Sequence, residues 1–314
     1  MIAVLCPGQG SQTPGMLEPW LDVDGLEARD LLARLGEAAQ VDLLHLGTEA
    51  DADAIKDTAV AQPLIVATSL LSLAALTSRI GAHTGWASVT AGHSVGEYAA
   101  AVVAGVLTET DALALVATRG RAMAAAAATS PTGMAAVVGG DPAEVVAAIE
   151  ALGLVPANVN GGGQVVAAGS LEALEQLKGD APARARVIPL AVAGAFHTDY
   201  MASAVAAVTE AAAALTPAAP LLSLLTNADG SVVPDGPTAV REMVAQISRP
   251  VRWDRCQEQL AELGVTAAIE LAPAGVLTGL ARRTLKEVEV VALKSPDDLE
   301  AAADLVARHA AATR

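Results

Sequence analysis

Ser94 and its neighbours have the residue types and the spacing of a catalytic nucleophile. The serine is the centre of the segment GHSVG at 92–96, a G-x-S-x-G pattern that follows a β-like run and precedes a helix-like run. In a nucleophile elbow, small residues two positions before and after the serine relieve crowding at a sharp strand-to-helix turn. The backbone N–H of Val95 and the helix N-terminus would then point at a developing oxyanion. The alternative interpretation of this serine is an ordinary helix cap.

Such a serine is a weak nucleophile until a base accepts its proton, and the chain offers five histidines for this role. Four are poor candidates: His45 and His83 lie in segments without other chemistry, His93 is adjacent to the serine on a turn that directs neighbours apart, and His309 is near the end of the sequence. His197, in AVAGAFHTDYM, follows a predicted strand and precedes a predicted helix. By elimination we predict that His197 is the base; an ordinary surface or core histidine is the alternative.

The composition describes a globular protein with an aliphatic core. The 314 residues suffice for one large domain, or for a large domain with a smaller insert, and 53% are hydrophobic but only 2% aromatic. The core must therefore consist mainly of Ala, Val and Leu. Cys6 and Cys256 form neither a disulfide framework nor a metal-ligand spacing, and we expect both to be small buried residues. The sequence predicts no metal and no cofactor.

The formal net charge of −16 argues against nucleic acid as a partner. The charge is unevenly distributed: residues 1–60 hold eleven acidic and three basic residues, whereas residues 249–286 hold six basic and four acidic ones. An acidic partner would be drawn to the later segment. Scattered, solvated arginines are the alternative interpretation.

We expect a cytoplasmic protein without a membrane partner. The start, MIAVLCPGQG, lacks the basic and long apolar regions of a signal peptide. Residues 58–78 carry no charge and are long enough to cross a membrane. Gln62, Pro63 and six Ser or Thr residues in this stretch favour a buried helix instead.

Strand-like and helix-like segments alternate along most of the chain, which predicts a parallel sheet. The predicted strands are IAVLCPG, ASVTAGHS, 221–227 and 266–271. The predicted helices are 26–46, 62–80, VGEYAAAVVAG, a helix capped by Thr108, 201–215, 237–247, 253–263 and a last one that begins near Pro296.

Residues 132–196 interrupt this alternation. Their predicted order is strand, helix, strand, strand, helix, strand, which is the order of a ferredoxin-like unit. We therefore expect a catalytic domain formed by residues 1–131 and 197–314, with residues 132–196 as an inserted ferredoxin-like subdomain.

A second glycine-rich loop, PGQGSQTPGM at 7–16, also follows a predicted strand. It is not a dinucleotide-binding fingerprint, because Thr13 stands where the third glycine belongs. Its backbone N–H groups could approach a ligand and hold an oxyanion; a tight turn without such a role is the alternative.

Seven segments together resemble the signatures of malonyl-CoA:acyl-carrier-protein transacylases, which are also those of acyltransferase domains in polyketide synthases. In chain order they are PGQGSQ, GHSVGEYAA, RG-x-x-M at 119–123, NVNGGGQVVAAG, AFH, LTNADG and QISRPVRW. The resemblance implies an α/β-hydrolase-like core with a ferredoxin-like insert. It also implies that a malonyl group passes from malonyl-CoA to a serine, and then to the phosphopantetheine thiol of acyl carrier protein for fatty-acid synthesis.

The resemblance assigns roles to individual residues. Ser94 would be the nucleophile, and His197 would act as base, then acid, then base again. Backbone N–H groups of Val95 and Gln9 would hold the oxyanion. Arg119 stands where the family places its carboxylate-binding arginine. Because a guanidinium offers a bidentate fork, a buried arginine here should prefer malonyl over acetyl by about 3–5 kcal/mol.

Three further positions match the family, and one neighbour does not. The main-chain carbonyl of Gln246 would orient the catalytic histidine in place of the aspartate of a Ser-His-Asp triad. Asn160 matches a position near the acyl or pantetheine pocket. Phe196 would narrow the pocket against an α-methyl group, which predicts poor use of methylmalonyl-CoA. Arg121 should face solvent, two residues after the predicted carboxylate-binding arginine.

Alternatives to a stand-alone transacylase of fatty-acid synthesis remain. The same chemistry could serve a polyketide synthase in trans, and nothing in one chain separates the two. A serine esterase or thioesterase would hand the acyl group to water; Arg119 and the lack of an acidic partner for His197 argue against it. A non-catalytic module that binds carrier protein would not need Ser94 and His197 together.

Overall fold

The computed structural model describes residues 1–311, so residues 312–314 of the predicted catalytic domain lie outside the described part. The strands of the described part are β1 (Ile2–Cys6), β2 (Val89–Gly92), β3 (Thr132–Gly139), β4 (Val155–Gly161), β5 (Gln164–Ser170), β6 (Ala185–Pro189), β7 (Ser223–Leu224), β8 (Ala267–Glu270) and β9 (Glu289–Ala292). Its α-helices are α1 (Ala28–Ala39), α2 (Leu43–Thr48), α3 (Thr58–Ile80), α4 (Gly96–Val103), α5 (Glu109–Ala127), α6 (Pro142–Ala151), α7 (Leu171–Gly179), α8 (Ala202–Ala213), α9 (Gly236–Ala245), α10 (Trp253–Glu262), α11 (Val276–Thr284) and α12 (Leu299–Ala311).

Five parallel strands form the larger sheet, in the order β7-β2-β1-β8-β9. The two strands β1 and β2 are buried along their whole length, as is typical of a parallel sheet covered on both faces. They are in register, so that Cys6 lies beside Gly92. The loops that follow them therefore begin at the same edge of the sheet, and these loops carry Gln9 and Ser94.

Four antiparallel strands form the second sheet, in the order β4-β5-β3-β6. An aliphatic cluster packs α6 and α7 against it and includes Val137, Val145, Ile149, Leu174 and Leu177. The sheet joins the rest of the molecule through β4, where Ala157 and Val159 form main-chain hydrogen bonds with Val251. The second sheet thereby adjoins the segment that leads into α10.

The uncharged stretch forms a core helix, as predicted. Among residues 1–311, one helix, α3, has the length and the apolar composition needed to cross a membrane. However, 83% of the 18-residue apolar stretch in α3 is buried inside the protein. It begins at Thr58, earlier than the predicted residue 62. The reason is the side chain of Asp57, which accepts a hydrogen bond from the N–H of Ala59 at 2.8 Å and caps the helix.

Several local predictions are confirmed. Thr108 caps α5, and its hydroxyl accepts a hydrogen bond from the N–H of Asp111 at 3.1 Å. Cys6 and Cys256 are both free and buried.

Other predicted boundaries are wrong. The single helix predicted over 26–46 is two helices, because Gln40 takes a left-handed conformation with φ of 57° and ends α1. The strand predicted over 221–227 is only two residues long, Ser223–Leu224. The sequence pattern does not predict α11 or β9, which have nine and four residues and thus little periodic signal.

Candidate active site

Ser94 lies on a sharp turn between β2 and α4. Its φ is 53°, a left-handed conformation that strains a residue with a side chain. A Cβ on Gly92 would lie 2.0 Å from the carbonyl carbon of Gly96, and a Cβ on Gly96 would lie 2.2 Å from the carbonyl oxygen of Cys6. Close packing of this turn therefore excludes a side chain at both glycines of the G-x-S-x-G pattern.

His197 lies beside this serine although the two are 103 positions apart in sequence. Its Nε2 is 2.8 Å from Ser94 Oγ, and its Nδ1 is 2.8 Å from the main-chain oxygen of Gln246. Because a carbonyl oxygen only accepts, Nδ1 carries the proton and Nε2 can accept one from the serine. His197 also has a left-handed backbone, with φ of 61°. The pair has the geometry of a nucleophile and its base.

The surroundings of His197 keep it neutral. Burial, followed by the positive charge of Arg119, lowers the pKa of His197 from its ordinary 6.5 to about 3. The hydrogen bond to the main chain of Gln246 raises the pKa, but by less than burial lowers it. Near pH 7 the imidazole is therefore unprotonated, as a base must be before it accepts a proton.

Arg119 is a buried cation that forms no ion pair with a carboxylate of the described residues. It lies in α5 and is 1% exposed. Its Nη1 donates to Gln62 Oε1 at 2.7 Å, and its Nη2 donates to Gln246 Oε1 at 2.8 Å and to Ser94 Oγ at 3.3 Å. Its Nε has no hydrogen-bond partner among the described residues. A guanidinium held only by neutral oxygens is suited to receive an anion beside the nucleophile.

Gln246 joins these residues through its side chain as well as its main chain. Its Nε2 donates to the main-chain oxygen of Ser94 at 3.1 Å, to Asn227 Oδ1 at 3.1 Å and to Glu97 Oε2 at 2.5 Å. The N–H of Ser94 donates to Asn227 Oδ1 at 2.7 Å, and the N–H of Asn227 donates to Glu97 Oε1 at 2.6 Å. Ser94, Glu97, Asn227 and Gln246 thus form one buried hydrogen-bond network, referred to below as the elbow network.

Glu97 is a buried carboxyl in this elbow network. Burial raises the pKa of Glu97 from 4.5 to about 8, while the N–H of Asn227 and the charge of Arg119 oppose the rise. The carboxyl does not pair directly with the guanidinium. The side-chain amide of Gln246 lies between them and bonds to both.

A cavity of about 190 Å³ adjoins Ser94, His197 and Arg119 and extends to the second sheet. Its wall also includes Gly8, Gln9, Gln62, His93, Met134, Asn160, Phe196 and Leu280. The predicted site residues Gln9, Asn160 and Phe196 therefore lie around one cavity. Arg121 is exposed, as predicted.

His93 lines the same cavity as the serine, although neighbours on such a turn are expected to point apart. Its Nε2 is 2.8 Å from Asn160 Oδ1, and its ring packs edge-on against Trp253 with centroids 5.5 Å apart. Burial lowers the pKa of His93. The amide of Asn160 also donates to Gln164 Oε1 at 2.8 Å, so these contacts tie the elbow to the second sheet.

The two N–H groups predicted to hold an oxyanion belong to Val95 and Gln9. Val95 is the residue before α4, and its N–H is one of those that a helix leaves without an intrahelical partner. Gly8 brings the other loop against the elbow, since a Cβ at this position would lie 2.7 Å from the main-chain oxygen of His93. Both loops therefore meet at the edge of the sheet where the nucleophile stands.

Comparison with known proteins gives a match over nearly the whole chain. The family model described as acyl transferase domain matches residues 4–306. The chain belongs to this acyl transferase family. It is similar to the malonyl CoA-acyl carrier protein transacylase of Mycobacterium tuberculosis, with 53% identity over 305 residues that cover 97% of this chain and 100% of that protein.

Two solved structures resemble this acyl transferase closely. The crystal structure of MCAT from Mycobacterium tuberculosis has a TM-score of 0.92 and 52% identity, and covers 96% of this chain and 99% of its own. The second is a structure of a type II PKS acyl-carrier protein in complex with its malonyl-transacylase. The matched chain has a TM-score of 0.88 and 29% identity, and the match covers 96% of this chain and 99% of that one. The mixed architecture of a parallel and a separate antiparallel sheet agrees with these structures.

Sequence reasoning on this acyl transferase does not single out Gln62, Glu97 or Asn227. Glu97 has a usable signal, because it is the charged residue of the otherwise apolar helix α4. Asn227 lies in LTNADG, a segment of the family signature. Gln62 has no such signal, because it stands in the predicted buried helix and nothing in the sequence indicates that its side chain meets Arg119.

Proposed function

We propose that this acyl transferase moves a malonyl group from malonyl-CoA to the phosphopantetheine thiol of an acyl carrier protein, through a malonyl-Ser94 intermediate, and so supplies fatty-acid synthesis. The observation that carries the proposal is the placement of Arg119. Its buried guanidinium forms no ion pair among the described residues, and its Nη2 lies 3.3 Å from Ser94 Oγ. A malonyl group carries the carboxylate that would pair with this cation.

In the first half-reaction Ser94 Oγ attacks the thioester carbonyl while His197 Nε2 accepts the hydroxyl proton. Backbone N–H groups of Val95 and Gln9 hold the resulting oxyanion. The C–S bond then breaks, and the imidazolium returns its proton to the sulfur of coenzyme A as it leaves. The malonyl group stays on the serine as an ester, with its carboxylate on Arg119.

In the second half-reaction the phosphopantetheine thiol gives its proton to His197 and attacks the ester carbonyl. The C–O bond to Ser94 breaks, and the serine oxygen takes the proton back from the imidazolium. The carbonyl of Gln246 holds Nδ1 throughout, 2.8 Å away. As a neutral group it stabilises the imidazolium less than an aspartate would.

The strand order supports the finer description of the fold. Residues 132–196 follow the order β-α-β-β-α-β and pair as β4-β5-β3-β6, which supports a ferredoxin-like subdomain. The elbow between β2 and α4 supports an α/β-hydrolase-like catalytic domain of residues 1–131 and 197–314. We place the enzyme in the cytoplasm, since its membrane-length helix belongs to the core.

Mass spectrometry of the intact protein after mixing with malonyl-CoA tests the proposal. We expect a single malonyl adduct, its absence from Ser94→Ala, and its transfer to phosphopantetheinylated carrier protein. An adduct that persists in Ser94→Ala, or a wild-type protein that takes up no malonyl group, would contradict it. Release of free malonate in preference to transfer would assign the chain to the serine thioesterases instead.

A polyketide carrier protein is the second candidate acceptor. A related malonyl-transacylase has been solved in complex with a type II PKS acyl-carrier protein, which favours this candidate. Transfer rates to fatty-acid and polyketide carrier proteins, measured side by side, distinguish the two. A higher kcat/KM with the polyketide carrier protein would assign the enzyme to that synthesis.

A further inference from the structure

We propose that Glu97 is a positioning residue for carboxylate recognition: it fixes the side-chain amide of Gln246 so that the amide oxygen faces Arg119. The inference rests on the proposed function, because it concerns how malonyl is preferred over an acyl group without a carboxylate. It extends the role of Gln246 from the main-chain carbonyl, which orients His197, to the side chain.

The surroundings of the Gln246 amide decide its orientation. Its Nε2 faces three acceptors, namely the main-chain oxygen of Ser94, Asn227 Oδ1 and Glu97 Oε2. On the other side Arg119 Nη2 donates to Gln246 Oε1 at 2.8 Å. A flipped amide would turn its NH₂ group toward the guanidinium, donor against donor.

Glu97 is the strongest of the three acceptors. It is the nearest to Gln246 Nε2, at 2.5 Å, whereas the other two acceptors are 3.1 Å away. Asn227 Oδ1 is farther, at 3.1 Å, and already accepts the N–H of Ser94 at 2.7 Å. The orientation of the Gln246 amide therefore depends chiefly on Glu97.

Both oxygens of the Glu97 carboxyl are occupied. Oε1 accepts the N–H of Asn227 at 2.6 Å, and Oε2 accepts Gln246 Nε2. A glutamine at this position offers one acceptor oxygen to two donors. The N–H of Asn227 is fixed by the main chain, whereas the side chain of Gln246 can rotate. In Glu97→Gln the contact to Gln246 is therefore the one that is lost.

The negative charge of Glu97 would act in the opposite direction. When Glu97 is ionised, its charge and that of Arg119 attract each other, so removal of the carboxylate alone would leave the guanidinium more attractive to a substrate carboxylate. A positioning role and a purely electrostatic role thus predict opposite effects of the same substitution on the choice between malonyl and acetyl.

The test compares kcat/KM for acylation by malonyl-CoA and by acetyl-CoA in the wild type, in Glu97→Gln and in a control, Glu270→Gln. Glu270 is also a fully buried carboxyl that accepts main-chain N–H groups, those of Leu277 and Thr278, but it lies outside the elbow network. We expect Glu97→Gln to lower the malonyl-to-acetyl ratio by about tenfold, as loss of one hydrogen bond that leaves a buried amide N–H without an acceptor does, and Glu270→Gln to leave the ratio unchanged.

A malonyl-to-acetyl ratio that stays constant or rises in Glu97→Gln overturns the positioning role, and so does an equal loss with both thioesters. Should Glu97→Gln not fold, Gln246→Met tests the same contact, because it removes the amide and keeps the main-chain carbonyl that holds His197. An unchanged ratio in Gln246→Met would likewise overturn the inference. A wild-type protein that forms no malonyl adduct would contradict the proposed function, whereas normal wild-type acylation with an unaltered ratio in the variants contradicts only the role of Glu97.

Discussion

At the scale of single residues, Arg119 donates through Nη2 to the nucleophile Ser94 and to Gln246, and through Nη1 to Gln62. Replacement by glutamine removes the charge and leaves a bound malonyl carboxylate buried without a cation. We expect Arg119→Gln to lower kcat/KM with malonyl-CoA by about 100-fold or more, and to change acetyl-CoA acylation by only a few fold. The rate of coenzyme A release measures acylation with each of the two thioesters.

Arg121→Gln is the matched control for this prediction. It makes the same change two residues farther along α5, at an exposed position. Its acylation rates should equal those of the wild type. If acetyl-CoA and malonyl-CoA acylate the wild type equally well, Arg119 has no part in selecting the acyl group.

The lowered pKa of His197, about 3, predicts an unusual pH dependence. The imidazole stays neutral, and able to accept the Ser94 proton, well below pH 6.5. We expect kcat/KM for malonyl-CoA to show no loss centred on pH 6.5 as the pH falls from 8 to 6, with tryptophan fluorescence used to verify that the protein is still folded. A loss of half the activity near pH 6.5 would show that this histidine titrates as an exposed one does.

The lowered pKa of His197 also makes the free energy of unfolding depend on pH. The unfolded chain binds a proton at His197 below pH 6.5, and the folded chain does not until about pH 3. The contribution of this residue to the free energy of unfolding is therefore lost progressively as the pH falls through that interval.

Phe196 is 5% exposed and forms part of the cavity wall. We predict that the ring leaves little room for an α-methyl group, so that methylmalonyl-CoA acylates the wild type poorly. Phe196→Ala enlarges the cavity and should therefore reduce the difference between the acylation rates with malonyl-CoA and with methylmalonyl-CoA. Competition between the two thioesters, followed by mass spectrometry of the protein adduct, measures the preference. Comparable rates in the wild type would refute it.

At the scale of elements, the crossing of β1, β2 and α4 leaves no space at the two elbow glycines. We expect Gly92→Ala to lower the free energy of unfolding by about 1–3 kcal/mol or more and to abolish acylation, because the added methyl would lie 2.0 Å from the main chain of Gly96. Thermal unfolding and adduct formation measure the two effects.

Gly279→Ala is the control for this substitution. Gly279 lies in α11 with no atom within 4 Å of an added Cβ, and alanine there should stabilise the helix by about 0.5–1 kcal/mol. If Gly92→Ala is as stable and as active as Gly279→Ala, close packing does not exclude a side chain at position 92.

Elements with a strong local signal could be predicted from the sequence, and those that depend on tertiary contacts could not. The glycine spacing around Ser94, the Thr108 cap and the uncharged α3 each have a local physical cause. By contrast, β7 and β9 are short strands that pair because neighbouring strands are already in place. Gln62 meets Arg119 only when α3 packs on α5, and Glu97 acquires its hydrogen bonds only when α4 meets Asn227 and Gln246. No spacing in the chain encodes these contacts.

At the scale of the whole molecule, the protein is acidic but has exposed arginines at one end of its sequence. Arg249 and Arg283 are exposed and form no ion pair with the described residues. We expect Arg249→Glu with Arg283→Glu to weaken transfer to an acidic carrier protein, since attraction between unlike charges aids encounter. Acylation by malonyl-CoA should be unaffected. Transfer rates at low and high salt measure the effect.

Arg29→Glu provides the comparison, because it makes the same charge change at an exposed position in the acidic first part of the chain. Transfer should be unaffected in this variant. Unchanged transfer in the double variant as well would mean that these arginines are simply solvated.

The backbone at Ser94 and His197 has a consequence for laboratory evolution. Both residues sit in left-handed conformations that a glycine would adopt without strain. Replacement by glycine at either position would relieve the backbone strain and, in the same step, remove the nucleophile or the base. A library screened only for resistance to heat would therefore accumulate inactive proteins, and such a screen needs a catalytic readout at every round.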